Sequence, residues 1–227
     1  MNYGDVIGVA VVYGYVAFLL VLTEKVLAKR YPLQSRKLLH MLTGNIAFLL
    51  PVFVTREIMA FVAAGPFILF TFLMSPYSPI KSMRGKTSEA GHGLGLVYYA
   101  ITWTILAYVF FDHRVIIAIG ILAMSYGDGL ASLIGVKYGK RKYTIFHDTK
   151  SYVGSMVMGI ATFAMLLVAV GFYQFFGTPV VLSVMLLVKL VAIALVAMVV
   201  EAATPFGLDN LSVPFVAALL YWWWVIL

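Results

Sequence analysis

The sequence predicts an all-α protein, a polytopic bundle of about eight transmembrane helices forming one domain over 1–227. Three observations lead there. Of the 227 residues 63% are hydrophobic and only 11% charged, with a mean hydropathy of +1.00, far too little polar surface for a water-soluble domain of this size. The apolar residues fall in runs of about span length separated by short polar segments, and at roughly 20 residues per crossing they use up the chain, leaving no separate soluble domain. The basic residues are also distributed unevenly, as they are in proteins oriented by the positive-inside rule.

The runs lie near 5–25, 38–55, 58–74, 94–111, 115–134, 152–176, 180–200 and 211–227. Lipid leaves no partner for unpaired backbone groups, and the alternation of a barrel strand is missing, so each run is expected to be a helix. The first has no basic segment ahead of it and no convincing cleavage site, so it is expected to stay as a span instead of leaving as a signal peptide. The last is short, and its Trp222, Trp223 and Trp224 suit a membrane interface.

If eight helices alternate, thirteen of the sixteen Lys and Arg residues share one side: Lys25, Lys29, Arg30, Arg36 and Lys37, then Lys81, Arg84 and Lys86, then Lys137, Lys140, Arg141, Lys142 and Lys150. That side is expected to be cytoplasmic, with both termini outside. Glu24, Glu89, Asp128, Asp148, Glu201 and Asp209 map to it as well. The net charge of +7 therefore belongs to topology and to phosphate or anionic lipid, with no nucleic acid implied. Convergent polar chemistry on one face points to an enzyme acting there, whereas a carrier more often lines a path near the midplane. With no cysteine in the chain, disulfides and thiolate metal sites are excluded.

Four polar clusters carry the candidate chemistry. In SRKLLHMLTGN, Arg36 and His40 are four apart at the head of the second run and share a helix face. An isolated pair of this kind is more often a snorkelling cation beside an interfacial histidine; the functional reading is a phosphate-facing arginine. Asn45 lies deeper, where an amide needs a partner. In the long loop 75–93, Glu89 and His92 have a spacing that suits a metal or mutual orientation, or are the incidental charges of a solvated loop.

Asp128 sits inside the end of the fifth run between Gly127 and Gly129, where a carboxylate must be paired, metal-bound or functional. Downstream, the basic and flexible GVKYGKRKY leads into HDTKSYVGS. There the glycines, Gly154 among them, with Lys150 and Ser151 at a helix start suggest a phosphate cradle of backbone N–H groups and a lysine, though no Walker A motif is present. Finally, EAATPFGLDNLSVP offers Glu201, Asp209 and Asn210, hard oxygen ligands suited to Mg²⁺ held with substrate phosphates.

The ordered set R-K-x-x-H, G-D-x-x-A-S-x-x-G-x-x-Y-G-K, K-S-x-x-G-S and E…D-N-L-S-V-P resembles the polyprenol kinase family, the CTP-dependent lipid kinases acting on dolichol, phytol or farnesol, over about residues 35–215. The resemblance implies transfer of a γ-phosphoryl group, typically from CTP with Mg²⁺, to the hydroxyl of a membrane isoprenoid alcohol of the dolichol, polyprenol, geranylgeraniol or phytol type. It implies Asp128 as metal ligand or base near the alcohol, and Lys140, Arg141, Lys142 and Lys150 on phosphates. Glu201, Asp209 and Asn210 would complete the metal and nucleotide site, with Arg36 and His40 facing the same pocket. Relatives usually carry an acid where this chain has Val153, so that function is either dispensable or supplied elsewhere, Asp148 being the candidate.

The expected protein is thus a multi-pass enzyme of the cell membrane, or of the endoplasmic reticulum in a eukaryote, with a cytoplasmic site; an oligomer is compatible with these features. The nearest rival enzyme is a CTP:lipid cytidylyltransferase, although the P-G-H-G-G and D-R-x-D signatures of that family are missing. A small lipid transporter is the rival of another class, and Lys189, about midway along the seventh run, is its best evidence.

Overall fold

A computed structural model describes residues 2–85, 93–145 and 148–227. The chain divides into two compact units, Met1–Phe111 and Asp112–Leu227.

The first unit begins with α1 (Tyr3–Leu20), which runs on through a π-helical turn at Val21–Leu27. Helix α2 (Pro32–Thr43) follows, then two 3₁₀ turns at Gly44–Phe48 and Leu50–Val52. A second π-helical turn at Ile58–Ala64 leads into α3 (Pro66–Met74), and α4 (Gly95–Val109) closes the unit. Asp5, fully buried in α1, accepts hydrogen bonds from the Val54 and Thr55 N–H groups at 2.9 and 3.0 Å and from Thr55 Oγ1 at 2.7 Å. One carboxylate thereby satisfies the orphan donors ahead of the helix that follows and ties its start to α1.

In the second unit α5 (Arg114–Tyr138) is central, packed most extensively against α6 (Tyr152–Phe175) and also against α8 (Asp209–Tyr221), while α7 (Val184–Ala203) packs on α6 and α8. A helix apolar on every side belongs in a core, and VIIAIGILAM fulfils this: every residue from Ile116 to Met124 except Gly120 is fully buried by its side chain, and Gly120 is buried too. Gly127 sets how close α5 and α6 come, since a Cβ there would lie 2.5 Å from Thr162 Oγ1 and 2.7 Å from Met158 Sδ. Between these helices, β1 (Lys142–Ile145) and β2 (Asp148–Ser151) form an antiparallel hairpin with Tyr143 opposite Lys150 and Ile145 opposite Asp148. The segment expected to be a flexible basic loop is thus ordered, and its Tyr, Thr and Ile residues suit a half-buried strand.

The all-α class holds, but the count of about eight spans does not. Among the described residues four helices are long and apolar enough to cross a membrane: Tyr3–Leu27, Phe111–Tyr138, Tyr152–Phe175 and Val184–Ala203. The runs at 58–74 and 94–111 give shorter apolar helices, Ile58–Met74 and Gly95–Val109, and the latter, at 15 residues, reaches about 22 Å of the ~30 Å hydrocarbon core. The run at 38–55 breaks because α2 ends at Thr43 and the chain continues in 3₁₀ turns through Gly44 and Pro51. In the final run Pro214 lies inside α8, which ends at Tyr221 before a π-helical turn over Trp222–Ile226. Hydropathy alone registered the grease in these runs and not the glycine and proline breaks.

Candidate active site

Three carboxylates converge in the second unit. Asp128 comes from α5, Glu201 from the last turn of α7 and Asp209 from the first residue of α8, and one oxygen from each lies within 4.8 Å of the others. Asp128 and Glu201 are 7% and 6% exposed, and Asp209 is half-buried. Because α5 continues to Tyr138, Asp128 stands ten residues from its end, about 15 Å along the axis, yet level with the α7–α8 turn.

The two ends of that turn are electrostatically unequal. Asp209 sits at a helix N-terminus, where the macrodipole favours a negative charge, while Glu201 sits at a C-terminus, where the dipole opposes it. Lys150 offsets the difference. Its Nζ, from β2, donates to Glu201 Oε1 at 2.6 Å and also to the Glu201 carbonyl oxygen, one of the acceptors left over at the end of α7. One lysine therefore fixes both the charge and the backbone of Glu201.

Like charges this close repel by about 3 kcal/mol per pair at an effective dielectric near 20, a repulsion that a bound cation would relieve. The donor set fits a hard divalent cation: contacts of about 2.1 Å in octahedral geometry place ligand oxygens roughly 3 to 4.2 Å apart, within small rotamer adjustments of the spacing found here. Asn210 stands beside the cluster, its amide donating to Asp209 Oδ1 at 3.1 Å and to the Gly207 carbonyl at 3.0 Å. It therefore orients Asp209.

Ser151 and Gly154 are engaged with each other. Ser151 caps α6, its Oγ accepting from the Gly154 N–H at 3.0 Å. Lys140, Arg141 and Lys142 are exposed at the start of the hairpin, two of them ahead of β1. Val153 is half-buried in the first turn of α6. Asp148, the proposed source of the missing acid, is spent elsewhere, since its Oδ2 accepts from the Phe206 N–H at 3.1 Å and it does not belong to the carboxylate cluster.

Arg36, His40 and Asn45 belong to the first unit. His40 is buried against Tyr99, with ring centroids 4.3 Å apart, and helps line an almost wholly apolar cavity of about 80 Å³ with Trp103 and Phe53. Asn45 donates to the Tyr15 hydroxyl at 3.1 Å, which in turn donates to the Leu42 carbonyl at 2.9 Å, the partner its depth required. Glu89 and His92 lie outside the described residues. Lys189 is near the start of α7 and not midway, and it donates to the Trp224 carbonyl. This pairing accounts for a lysine in an apolar helix without a transport path.

No family model and no solved structure matches the chain. Curated relatives do. A phytol kinase of Synechocystis sp. is 32% identical over 191 residues, covering 83% of this chain and 78% of its own length. A probable phytol kinase of Triticum aestivum, described as chloroplastic, is 33% identical over 192 residues, 79% of this chain and 63% of the wheat protein. Phytol kinase 1 of Arabidopsis thaliana, also chloroplastic, is 30% identical over 212 residues, 87% and 69% of the two chains. The chain belongs to the polyprenol kinase family. As a member it is a phosphotransferase with an alcohol group as acceptor, and it spans less than two thirds of the wheat relative.

The kinase's own structure adds contacts that motif reading missed. The bond between Lys150 and Glu201 joins residues 51 apart, and no local pattern announces it. The hydroxyl pair of Tyr143 and Ser155 and the link between Thr204 and Ser212 at 3.0 Å also brace the site's edges. For Asp148 a signal did exist: it alternates with Lys150 on one strand, and such residues share a face.

Proposed function

We propose that the kinase transfers the γ-phosphoryl group of CTP, with Mg²⁺, to the hydroxyl of a membrane isoprenoid alcohol, phytol or its close relative geranylgeraniol before longer polyprenols such as dolichol. The carboxylate cluster of Asp128, Glu201 and Asp209 with Lys150 bonded to it supports this reading, and the names of the relatives favour phytol. The alcohol oxygen forms a bond to the γ-phosphorus, the bond from that phosphorus to the β–γ bridging oxygen breaks, and CDP leaves. Phosphoryl transfer asks mainly for positioning and charge neutralisation. A divalent ion on the carboxylates supplies neutralisation of the phosphate charge.

The remaining roles fall to the chain's own groups. Asp128, the most deeply set of the three along its helix, takes the hydroxyl proton or ligates the ion. Lys150, Lys140, Arg141 and Lys142 meet phosphate oxygens. Ser151 and Gly154 shape the turn into α6, and Asn210 steadies Asp209. The basic segments favour a cytoplasmic site on a multi-pass protein in which 1–227 acts as one domain.

The test is radiolabelled phosphate transfer across the four nucleoside triphosphates with phytol, geranylgeraniol, dolichol and diacylglycerol. Labelled phytyl monophosphate and CDP are expected, with Asp128→Asn at least about 100-fold slower. Pyrophosphate as the product would replace this reading with a cytidylyltransferase, and a wild-type rate in Asp128→Asn would remove the site assignment.

A further inference from the structure

The turn between α7 and α8 must reverse the chain within Thr204–Leu208 so that Glu201 and Asp209 face each other. Two consecutive residues in it have positive φ, Phe206 at 60° and Gly207 at 77°. Glycine adopts this conformation freely, whereas a residue with a Cβ is disfavoured by about 1 kcal/mol or more. Phe206 is 57% exposed, so burial within the protein does not offset that cost. Phe206 is moreover the one non-glycine residue with positive φ among the described residues.

The turn is braced on either side of this point. Thr204 bonds to Ser212, and Asn210 donates to the Gly207 carbonyl. Phe206 itself is held by Asp148, whose Oδ2 accepts its N–H at 3.1 Å. Asp148 lies two residues before Lys150 on β2, on the same face of the strand. One edge of the hairpin thus holds both parts of the reversal: Lys150 grips the end of α7 through Glu201, and Asp148 grips the turn that leads to Asp209.

We propose that Asp148 is a positioning residue for the carboxylate cluster, holding Phe206 in its left-handed conformation and thereby setting the separation of Glu201 and Asp209. The proposal rests on the metal-binding reading of that cluster. A backbone-held turn supporting ligands in this way is expected to influence metal affinity about as outer-shell partners do, by roughly tenfold.

The experiment measures Mn²⁺ binding by electron paramagnetic resonance, with thermal unfolding in parallel, on the purified full-length protein in detergent. Asp148→Ala is expected to bind Mn²⁺ about tenfold more weakly, and Asp148→Asn, which keeps an acceptor oxygen, to lose less. Phe206→Gly removes the conformational cost, so Asp148→Ala/Phe206→Gly is expected to recover most of the affinity. Wild-type affinity in Asp148→Ala overturns the proposal, as does a double variant no better than Asp148→Ala. Should the wild-type protein bind no Mn²⁺, the metal reading of the cluster falls and this inference with it.

Discussion

Replacing Lys150 by Met removes a cation bonded to Glu201 while keeping a side chain of similar length. With Nζ 2.6 Å from Oε1, the bare attraction at an effective dielectric near 20 is about 6 kcal/mol. Most of it is offset by the desolvation of both groups, and the lysine side chain is 17% exposed, leaving a net effect of about 2 kcal/mol. For a chain of this size that is a fall of roughly 4–8 °C in the unfolding midpoint. The prediction is sharper with chelator and Mg²⁺ compared: a cation on the three carboxylates takes over part of the lysine's charge balance, so the stabilisation by Mg²⁺ is expected to be larger in Lys150→Met than in wild type. Kinase activity is expected to fall at least tenfold because the same ammonium is assigned to phosphate. The assay is thermal unfolding of the detergent-solubilised protein with either additive, extended to Glu201→Gln and the double variant. A coupling energy near zero in that cycle, or identical metal-free midpoints for wild type and Lys150→Met, would refute the reasoning.

Three further outcomes are expected. Asn210→Ala loses the amide that orients Asp209 and should raise the Mg²⁺ concentration for half-maximal activity about tenfold with little change in the rate at saturation, read from a metal titration of the transfer assay. Gly127→Val drives a branched side chain into Thr162 and Met158 and should destabilise the protein by about 1–3 kcal/mol, visible as a lower midpoint in thermal unfolding. Lys189→Met removes the bond to the Trp224 carbonyl and should cost about 1 kcal/mol of stability while leaving phosphate transfer within about twofold; loss of transfer at unchanged stability would mean a functional role for Lys189.

Composition was enough to read the helical class, and the site's acids were legible because each is expensive where it stands. Asp128 interrupts a run otherwise buried on all sides, and Glu201 and Asp209 flank a turn between apolar helices, so their presence demanded a reason before any distance was known. The lengths of the helices were less legible. Gly44, Pro51 and the Gly65–Pro66 pair are ordinary letters in a hydropathy window, yet each falls where regular α-helical geometry stops or changes. Long-range contacts were harder still. Lys150 and Glu201 are separated by the whole of α6 and most of α7, and only the packing of those helices brings the ammonium to the carboxylate. Ser151 shows the opposite limit: a residue type that suits a phosphate cradle also suits an N-cap, and here its oxygen is bonded to the N–H of Gly154.

The reversal between α7 and α8 bears on which insertions and deletions the gene can tolerate. Glu201 and Asp209 face each other across a fixed number of residues, and Asp209 opens its helix. One residue added between them and absorbed by α8 would rotate all that follows by about 100°, carrying Asp209 out of the cluster and parting Asn210 from Gly207. Surface connections ordinarily drift in length at little thermodynamic cost, and the stretch at 176–183, which joins α6 to α7 away from the carboxylates, is free to do so. The turn at 204–208 is not: its length works as a ruler, so a frame-preserving change of a single codon there should silence the enzyme as surely as losing one of its acids.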